Sequence, residues 1–266
     1  MEQQNHISFT QLNMYLRCGE QYYRRYVKGE KLPPSGNMVR GRSCHRAEEI
    51  NYKHKIETSS DITISEVQDL FSDEWERGKF EIVWRPDELD GASPKLVEAK
   101  FKDSGIGLIT AYHKEIAPFA HPTNVEQEFT VQFQFEGAFT ALPLYGIIDR
   151  IDNDVVIDAK FQSRSPSDND AQKDIQLVAY QLGYENLKGQ KPRKLRKEYS
   201  IATKVAKTKI QEIDAHGPER IYRLLFVIER VMEAISKGIF LPATLGHWCC
   251  DPRFCGYFDT CKLRQG

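Results

Sequence analysis

The run Gly146–Lys160 constrains this chain more than any other. Two short apolar stretches flank a polar Asp152, Asn153, Asp154 turn, the pattern of a β-hairpin. Side chains alternate faces along a strand, so Asp158 and Lys160 share one face while Val155, Ile157 and Ala159 take the other. A two-residue loop of Asn153 and Asp154 would set Asp149 opposite Asp158, with Cβ atoms roughly 5 Å apart. Any even loop keeps the two carboxylates together, and an odd one without a bulge separates them. Two like charges with a single lysine form a strained set. A divalent cation between the acids would relieve it and leave Lys160 to hold or polarise a nucleophile. An Asp-x-Lys tripeptide alone is equally compatible with a solvated strand face carrying an incidental ion pair.

With 266 residues, 40% of them hydrophobic, the chain can bury a sizeable core. A net charge of −1 gives no global attraction to nucleic acid, so such a partner must meet a local patch. No apolar run approaches the length of a membrane span. The segment Met1–His6 lacks the basic and apolar regions of a signal peptide, and a cytoplasmic address is expected. There the six cysteines would be metal ligands or free thiols rather than disulfides.

Ser8 and Gln11 form a capping-box pattern ahead of a helix expected over about Phe9–Val27. This helix carries Cys18 and an aromatic-basic run, Tyr22–Tyr26, which reads as a half-buried face with its arginines in water, a role in stacking or phosphate contact being the other reading. A second helix is expected around Gly41–Glu49, containing Cys44 and His45. From Ser59 to His121 the chain is helical and acidic, with a second capping pattern at Ser65 and Gln68 and a further helix over Gly105–Ile116. Val125–Gly137 alternates, with Phe129, Val131, Phe133 and Phe135 on one side, and is expected as a half-buried strand leading into the hairpin.

After Lys160 a polar loop precedes a helix over about Ala171–Leu187, where Gln176 and Tyr180 share a face. Lys197–Thr203 suits another strand. Nine Lys/Arg residues lie between Lys188 and Lys209 against one acid, Glu198. Such a run is usually a solvated face, but here it could also follow a phosphate backbone. Pro218 and Gly238 bracket a long amphipathic helix. Four cysteines, Cys249, Cys250, Cys255 and Cys261, crowd the last eighteen residues. Thiolates so close suit a soft metal or an iron–sulfur cluster. Structural zinc and unliganded thiols are the other readings, and Cys18 is a candidate fourth donor.

Taken in order, these segments resemble the RecB/AddB-type iron–sulfur exonucleases of the PD-(D/E)XK nuclease superfamily, a branch that includes CRISPR-adaptation exonucleases and phage-type stand-alone relatives. The resembling parts are Ser8 to Cys18, Gly41 to His45, Val125-Glu126 with Phe129, Gly146–Asp152, Val156–Lys160, Gln176 to Tyr180 and the cysteine tail. The resemblance implies an α/β fold with a restriction-endonuclease-like core, a central mixed sheet flanked by helices. It implies one nuclease domain over residues 1–266, a helical insertion over about 59–121, and ends at about 8–28 and 240–266 joined by a metal cluster. His45, Asp149, Asp158 and the Ala159 carbonyl would bind Mg²⁺ or Mn²⁺, Lys160 would orient the attacking water, and Gln176 and Tyr180 would position DNA. Cys18, Cys250, Cys255 and Cys261 would hold a 4Fe–4S cluster, with zinc as the alternative. Many relatives have two residues between the second and third cysteines, whereas four separate Cys250 from Cys255, so Cys249 could replace Cys250. The implied activity is a metal-dependent DNA exonuclease acting on single strands or ends in repair, recombination or CRISPR adaptation. The alternative is a DNA-end-binding subunit of a larger repair or spacer-acquisition complex. No membrane partner is implied.

Overall fold

In the computed structural model, which describes residues 5–135, 138–139 and 142–264, the hairpin turns on Asn153 and Asp154. Both take left-handed backbone, φ 43° and 68°. That is the backbone a two-residue hairpin loop needs to match strand twist. Arg150 pairs with Ile157, Ile151 with Val156 and Asp152 with Val155 in antiparallel register.

In chain order the elements are β1 (Ile7–Ser8), α1 (Phe9–Arg17), α2 (Gly19–Tyr22), α3 (Gly36–Thr58), α4 (Ile64–Gly78), α5 (Pro86–Leu89) and α6 (Pro94–Glu115). Then follow β2 (Pro122–Val131), β3 (Gln134–Phe135), β4 (Ala138–Phe139), β5 (Leu144–Asp152) and β6 (Val155–Gln162). The chain continues with α7 (Asp170–Lys173), α8 (Ile175–Lys188), β7 (Lys194–Ile201), β8 (Lys207–Ile213) and α9 (Pro218–Ser236). No helix among the described residues is long and apolar enough to cross a membrane.

The elements fall into two compact units. The larger comprises Pro33–Phe129 and Ile147–Ala215 and holds the turn of the hairpin at Asn153 and Asp154. In its mixed sheet β5 pairs antiparallel with β6, β6 parallel with β7, and β7 antiparallel with β8, while β2 lies along β5. Parallel pairing of β6 with β7 requires a crossover, which α7 and α8 supply. Val155, Val156 and Ile157 are all buried, as befits a strand covered on both faces. On one side α3, α4 and α6 pack Val39, Ala47, Phe71, Trp75, Leu108 and Ile109 with Ala159 and Phe161 of β6. This packing leaves no room beside Gly105, where an added Cβ would lie 2.0 Å from the Phe71 ring. Gly105→Ala is therefore expected to lower stability by about 1–3 kcal/mol despite alanine's better helix propensity. Urea unfolding checks this, and an unchanged or higher midpoint would show that Phe71 can move aside.

The other unit comprises the chain up to Leu32, Thr130–Gly146 and the chain from His216. Here β1 runs parallel to the start of β5, with Ile7 opposite Leu144, and β3 pairs with β4. The capping box at Ser8 is present, Gln11 N–H donating to Ser8 Oγ and Ser8 N–H to Gln11 Oε1. The single helix expected over Phe9–Val27 is instead broken. Cys18 is extended, at φ −163° and ψ 107°, the helix restarts at Gly19, and Tyr23–Val27 widens into a π-turn. The cause is tertiary. Gly19 N–H donates to Leu241 O at 2.7 Å, and an added Cβ at Gly19 would lie 2.8 Å from Leu241 backbone atoms.

Other boundaries also differ from expectation. The second capping box is formed by Thr63 and Glu66, not Ser65 and Gln68. The helix expected from Gly105 begins at Pro94 behind an N-cap at Ser93. The helix expected over Ala171–Leu187 breaks at Asp174 into α7 and α8. The strand expected over Val125–Gly137 ends at Val131, although Phe129, Val131 and Phe133 are buried as the alternation implied. Glu136 and Gly137 lie outside the described residues.

Candidate active site

Beyond Arg150 and Ile157 the ladder between β5 and β6 gives way to a side chain. Asp149 Oδ2 accepts the Ala159 N–H at 2.8 Å. Its other oxygen accepts from the Tyr180 hydroxyl at 3.0 Å. Asp158 is fully buried, and Lys160 Nζ donates to its Oδ1 at 2.6 Å. Lys160 also donates to Gln176 Oε1 at 3.2 Å, and Gln176 Nε2 donates to the Tyr180 hydroxyl at 2.8 Å. A continuous circuit thus runs from Asp158 through Lys160, Gln176 and Tyr180 to Asp149, and the Ala159 amide closes it. The i, i+4 spacing of Gln176 and Tyr180 on α8 lets one helix face serve both ends.

One atom in this circuit is left over. Asp158 Oδ2 is buried and receives no hydrogen bond, and Lys197 Nζ stands 3.9 Å from it. Burial pushes the Asp158 carboxyl up to about 6, Lys160 offsets part of that push, and the charge of Asp149 adds to it. An ionised buried carboxylate with a free oxygen is a costly arrangement unless a further partner meets it.

His45 projects from α3, its ring edge-on to Phe161 with centroids 5.1 Å apart. Its Nδ1 lies 3.5 Å from Glu48 Oε2. Burial favours the neutral imidazole, but Glu48 and Asp149 outweigh it and hold the group up at about 9. The sequence-derived candidates Asp149, Asp158, Lys160, Gln176 and Tyr180 are therefore joined directly, whereas His45 reaches Asp149 only through its field. Among the described residues no three His, Cys, Asp or Glu side chains are gathered into a ready-made metal site.

A group raised above its unfolded value, such as His45, stabilises the fold below about pH 6.5, and the benefit fades as pH climbs toward 9. In the absence of metal, the stability advantage of the wild type over His45→Gln should shrink by about 1–2 kcal/mol between pH 6.5 and 9, allowing for solvent screening. Paired urea titrations would show it. A difference that stays flat would mean that Glu48 and Asp149 do not hold the imidazolium.

Several residues near the site were given no role in it from sequence. Glu126 interrupts β2 with left-handed backbone, φ 49°, an uncommon conformation for a residue other than glycine. Its carboxyl is pushed up to about 7 by burial, with a further contribution from Asp149. Strand alternation alone assigned Glu126 to the outward face beside Glu128. Lys197, Asp170 and Asp174 also meet next to Asp158. Part of the basic stretch that contains Lys197 is engaged in ion pairs. Lys194 pairs with Asp214, Arg196 with Glu212 and Glu198, and Lys209 with Asp168. In the smaller unit Cys18, Cys249, Cys250, Cys255 and Cys261 line one cavity, with His247 Nδ1 3.0 Å from Cys249 Sγ. All six cysteines are free thiols, and Cys44 is buried in the larger unit.

Asp149, Asp158 and Lys160 thus lie together on the paired strands β5 and β6 of a mixed sheet flanked by helices. The family model of the PD-(D/E)XK nuclease superfamily matches residues 6–262, and the chain belongs to that superfamily. No curated protein matches it. A solved structure from Eubacterium rectale, named as a candidate exonuclease, is similar at TM-score 0.56 and 11% identity, covering 98% of this chain and 90% of that one. The crystal structure of SSO0001 gives TM-score 0.48 at 13% identity, covering 100% of this chain and 90% of that one. At such identities the likeness extends to the fold alone.

Proposed function

We propose that this chain is a Mg²⁺- or Mn²⁺-dependent deoxyribonuclease that works as an exonuclease on single-stranded DNA or DNA ends, in repair, recombination or CRISPR adaptation. The observation that carries the proposal is the buried Asp158 Oδ2, an acceptor without a donor beside Asp149 and Lys160. A hard cation takes oxygen ligands, and Asp149, Asp158 and the Ala159 carbonyl would hold it, with His45 as a nitrogen donor once deprotonated. When bound, the metal supplies a water acidic enough to attack phosphorus and neutralises charge on the phosphate. Lys160, fixed between Asp158 and Gln176, is placed to orient that water and to balance charge that builds on the phosphate oxygens. Gln176 and Tyr180 hold Lys160 and Asp149 at their stations and face the strand to be cut.

The cysteine-lined cavity supports a cluster in the smaller unit. Cys18, Cys250, Cys255 and Cys261 are the proposed ligands of a 4Fe–4S centre, or of zinc, with Cys249 as the competitor for Cys250. Cys249 is the more buried of the two and lies against His247. Anaerobic purification should yield a protein with broad visible absorption, and a colourless, iron-free protein would remove the iron–sulfur assignment.

Digestion of end-labelled single- and double-stranded DNA with Mn²⁺, and with EDTA as control, tests the activity. Directional shortening that EDTA abolishes is expected. Internal cuts alone would contradict the exonuclease reading, and intact DNA would contradict the nuclease reading altogether.

A further inference from the structure

We infer that Lys197 is a positioning residue of this site, tying the junction of α7 and α8 to the strand of Asp158 and so fixing where Gln176 and Tyr180 stand. The inference rests on the nuclease reading above. Lys197 lies on β7 in parallel register with Asp158 on β6, so both side chains rise from the same sheet face. It is only 5% exposed. Its ammonium donates to Asp170 Oδ2 at 3.0 Å and to Asp174 Oδ2, and stands 3.9 Å from Asp158 Oδ2. Carboxylates from α7, from the cap of α8 and from β6 therefore converge on one buried cation.

Asp174 joins this cluster to the catalytic circuit. It is the N-cap of α8, and its Oδ1 accepts the Gln176 N–H at 2.7 Å while its Oδ2 accepts from Lys197. The first turn of α8 is thus fastened to the sheet one turn before Tyr180. Asp170 is held a second time, by the Tyr199 hydroxyl at 2.5 Å. Asp174 has no such second anchor to the sheet among its hydrogen bonds, so the hold on Gln176 depends on the ammonium. Without it, Asp158, Asp170 and Asp174 would face one another with Lys160 as the remaining neighbour of Asp158, and their repulsion would move the helix start outward. A shift of about 1 Å in a positioning group can cost a hundredfold in rate.

The test uses the full chain with Lys197→Met, Lys197→Arg, Gln176→Ala and the double variant Gln176→Ala/Lys197→Met. Single-stranded DNA cleavage with Mn²⁺ is followed, together with amide hydrogen exchange over residues 170–180. Lys197→Met should lower kcat about tenfold to a hundredfold with a smaller change in KM, and Lys197→Arg should recover most of it. In the Gln176→Ala background the same change should cost less than about threefold, because the position it protects is already lost. Exchange should quicken over residues 170–180 and stay unchanged in β6. Unaltered kcat, losses that multiply in the double variant, or unaltered exchange would each overturn the inference. If Lys197→Met does not fold, Asp174→Asn carries the test. It keeps the cap and weakens the tie, and normal kcat in that folded variant would overturn the inference equally. If the wild type cleaves no DNA, the nuclease reading fails, and hydrogen exchange still decides the role of Lys197.

Discussion

Asp158→Ala should lower single-turnover DNA cleavage by at least about a thousandfold while leaving the unfolding midpoint equal to or above that of the wild type. The two halves of this expectation have one origin. Asp158 is fully buried, one of its oxygens has no hydrogen bond, and its carboxyl is pushed up to about 6. A carboxyl raised in this way favours protonation in the fold, so keeping it ionised at neutral pH weighs against stability. Removing it should relieve the fold and disable the site together, since Lys160 loses its 2.6 Å partner and the cation loses a ligand. Cleavage in Mn²⁺ and thermal unfolding in EDTA check the pair. Activity within tenfold of the wild type would show that Asp158 is not catalytic. A midpoint lowered by many degrees would show that its burial is structural.

Arg150→Met should behave in the opposite way, lowering stability by about 3–5 kcal/mol. The guanidinium is 1% exposed and sits at the centre of a buried charge network. It donates to both oxygens of Glu198 at 2.8 and 2.9 Å, to Asp152 at 2.8 Å and to the Tyr52 hydroxyl at 2.5 Å. Glu48 Oε1 lies 3.6 Å away. With the cation gone, Asp152 would lose its charged partner, and the buried Glu198 and Glu48 would keep only Arg196 and His45, at a desolvation cost that packing cannot offset. Methionine fills much of the volume, so the loss reports charge rather than a cavity. Glu198→Gln added to Arg150→Met should restore part of the stability. Urea unfolding measures both, and a loss under about 1 kcal/mol would mean that the network contributes little. Because Glu48 also contacts His45, the network on this face of the sheet reaches the site through α3.

The hairpin was legible in the sequence because a period of two and a two-residue turn leave one register that buries Val155 and Ile157. The pairing of Gln176 with Tyr180 was legible for a similar reason, since a spacing of four repeats a helix face. Where tertiary contacts decide, sequence pattern misled. The break at Cys18 arises from the approach of Leu241, distant in the chain, to Gly19. Lys197 looked like one more charge in a basic run, because nothing local marks a lysine whose three acid partners come from other elements. Glu126 was noted only as part of a resembling strand, and its place beside Asp149 was not legible because its left-handed backbone departs from the alternation by which strands are recognised. In the tail, spacing could not choose between Cys249 and Cys250, and both line the same cavity.

The central claim is that Asp149 and Asp158 are arranged to receive one divalent cation. Calorimetric titration of Mn²⁺ into the wild type and into Asp158→Asn, at one pH and with both proteins folded, tests it most directly. One ion bound by the wild type and at least about a tenfold loss of affinity in the variant is the predicted result. Equal binding by both proteins, or none by the wild type, would contradict the claim.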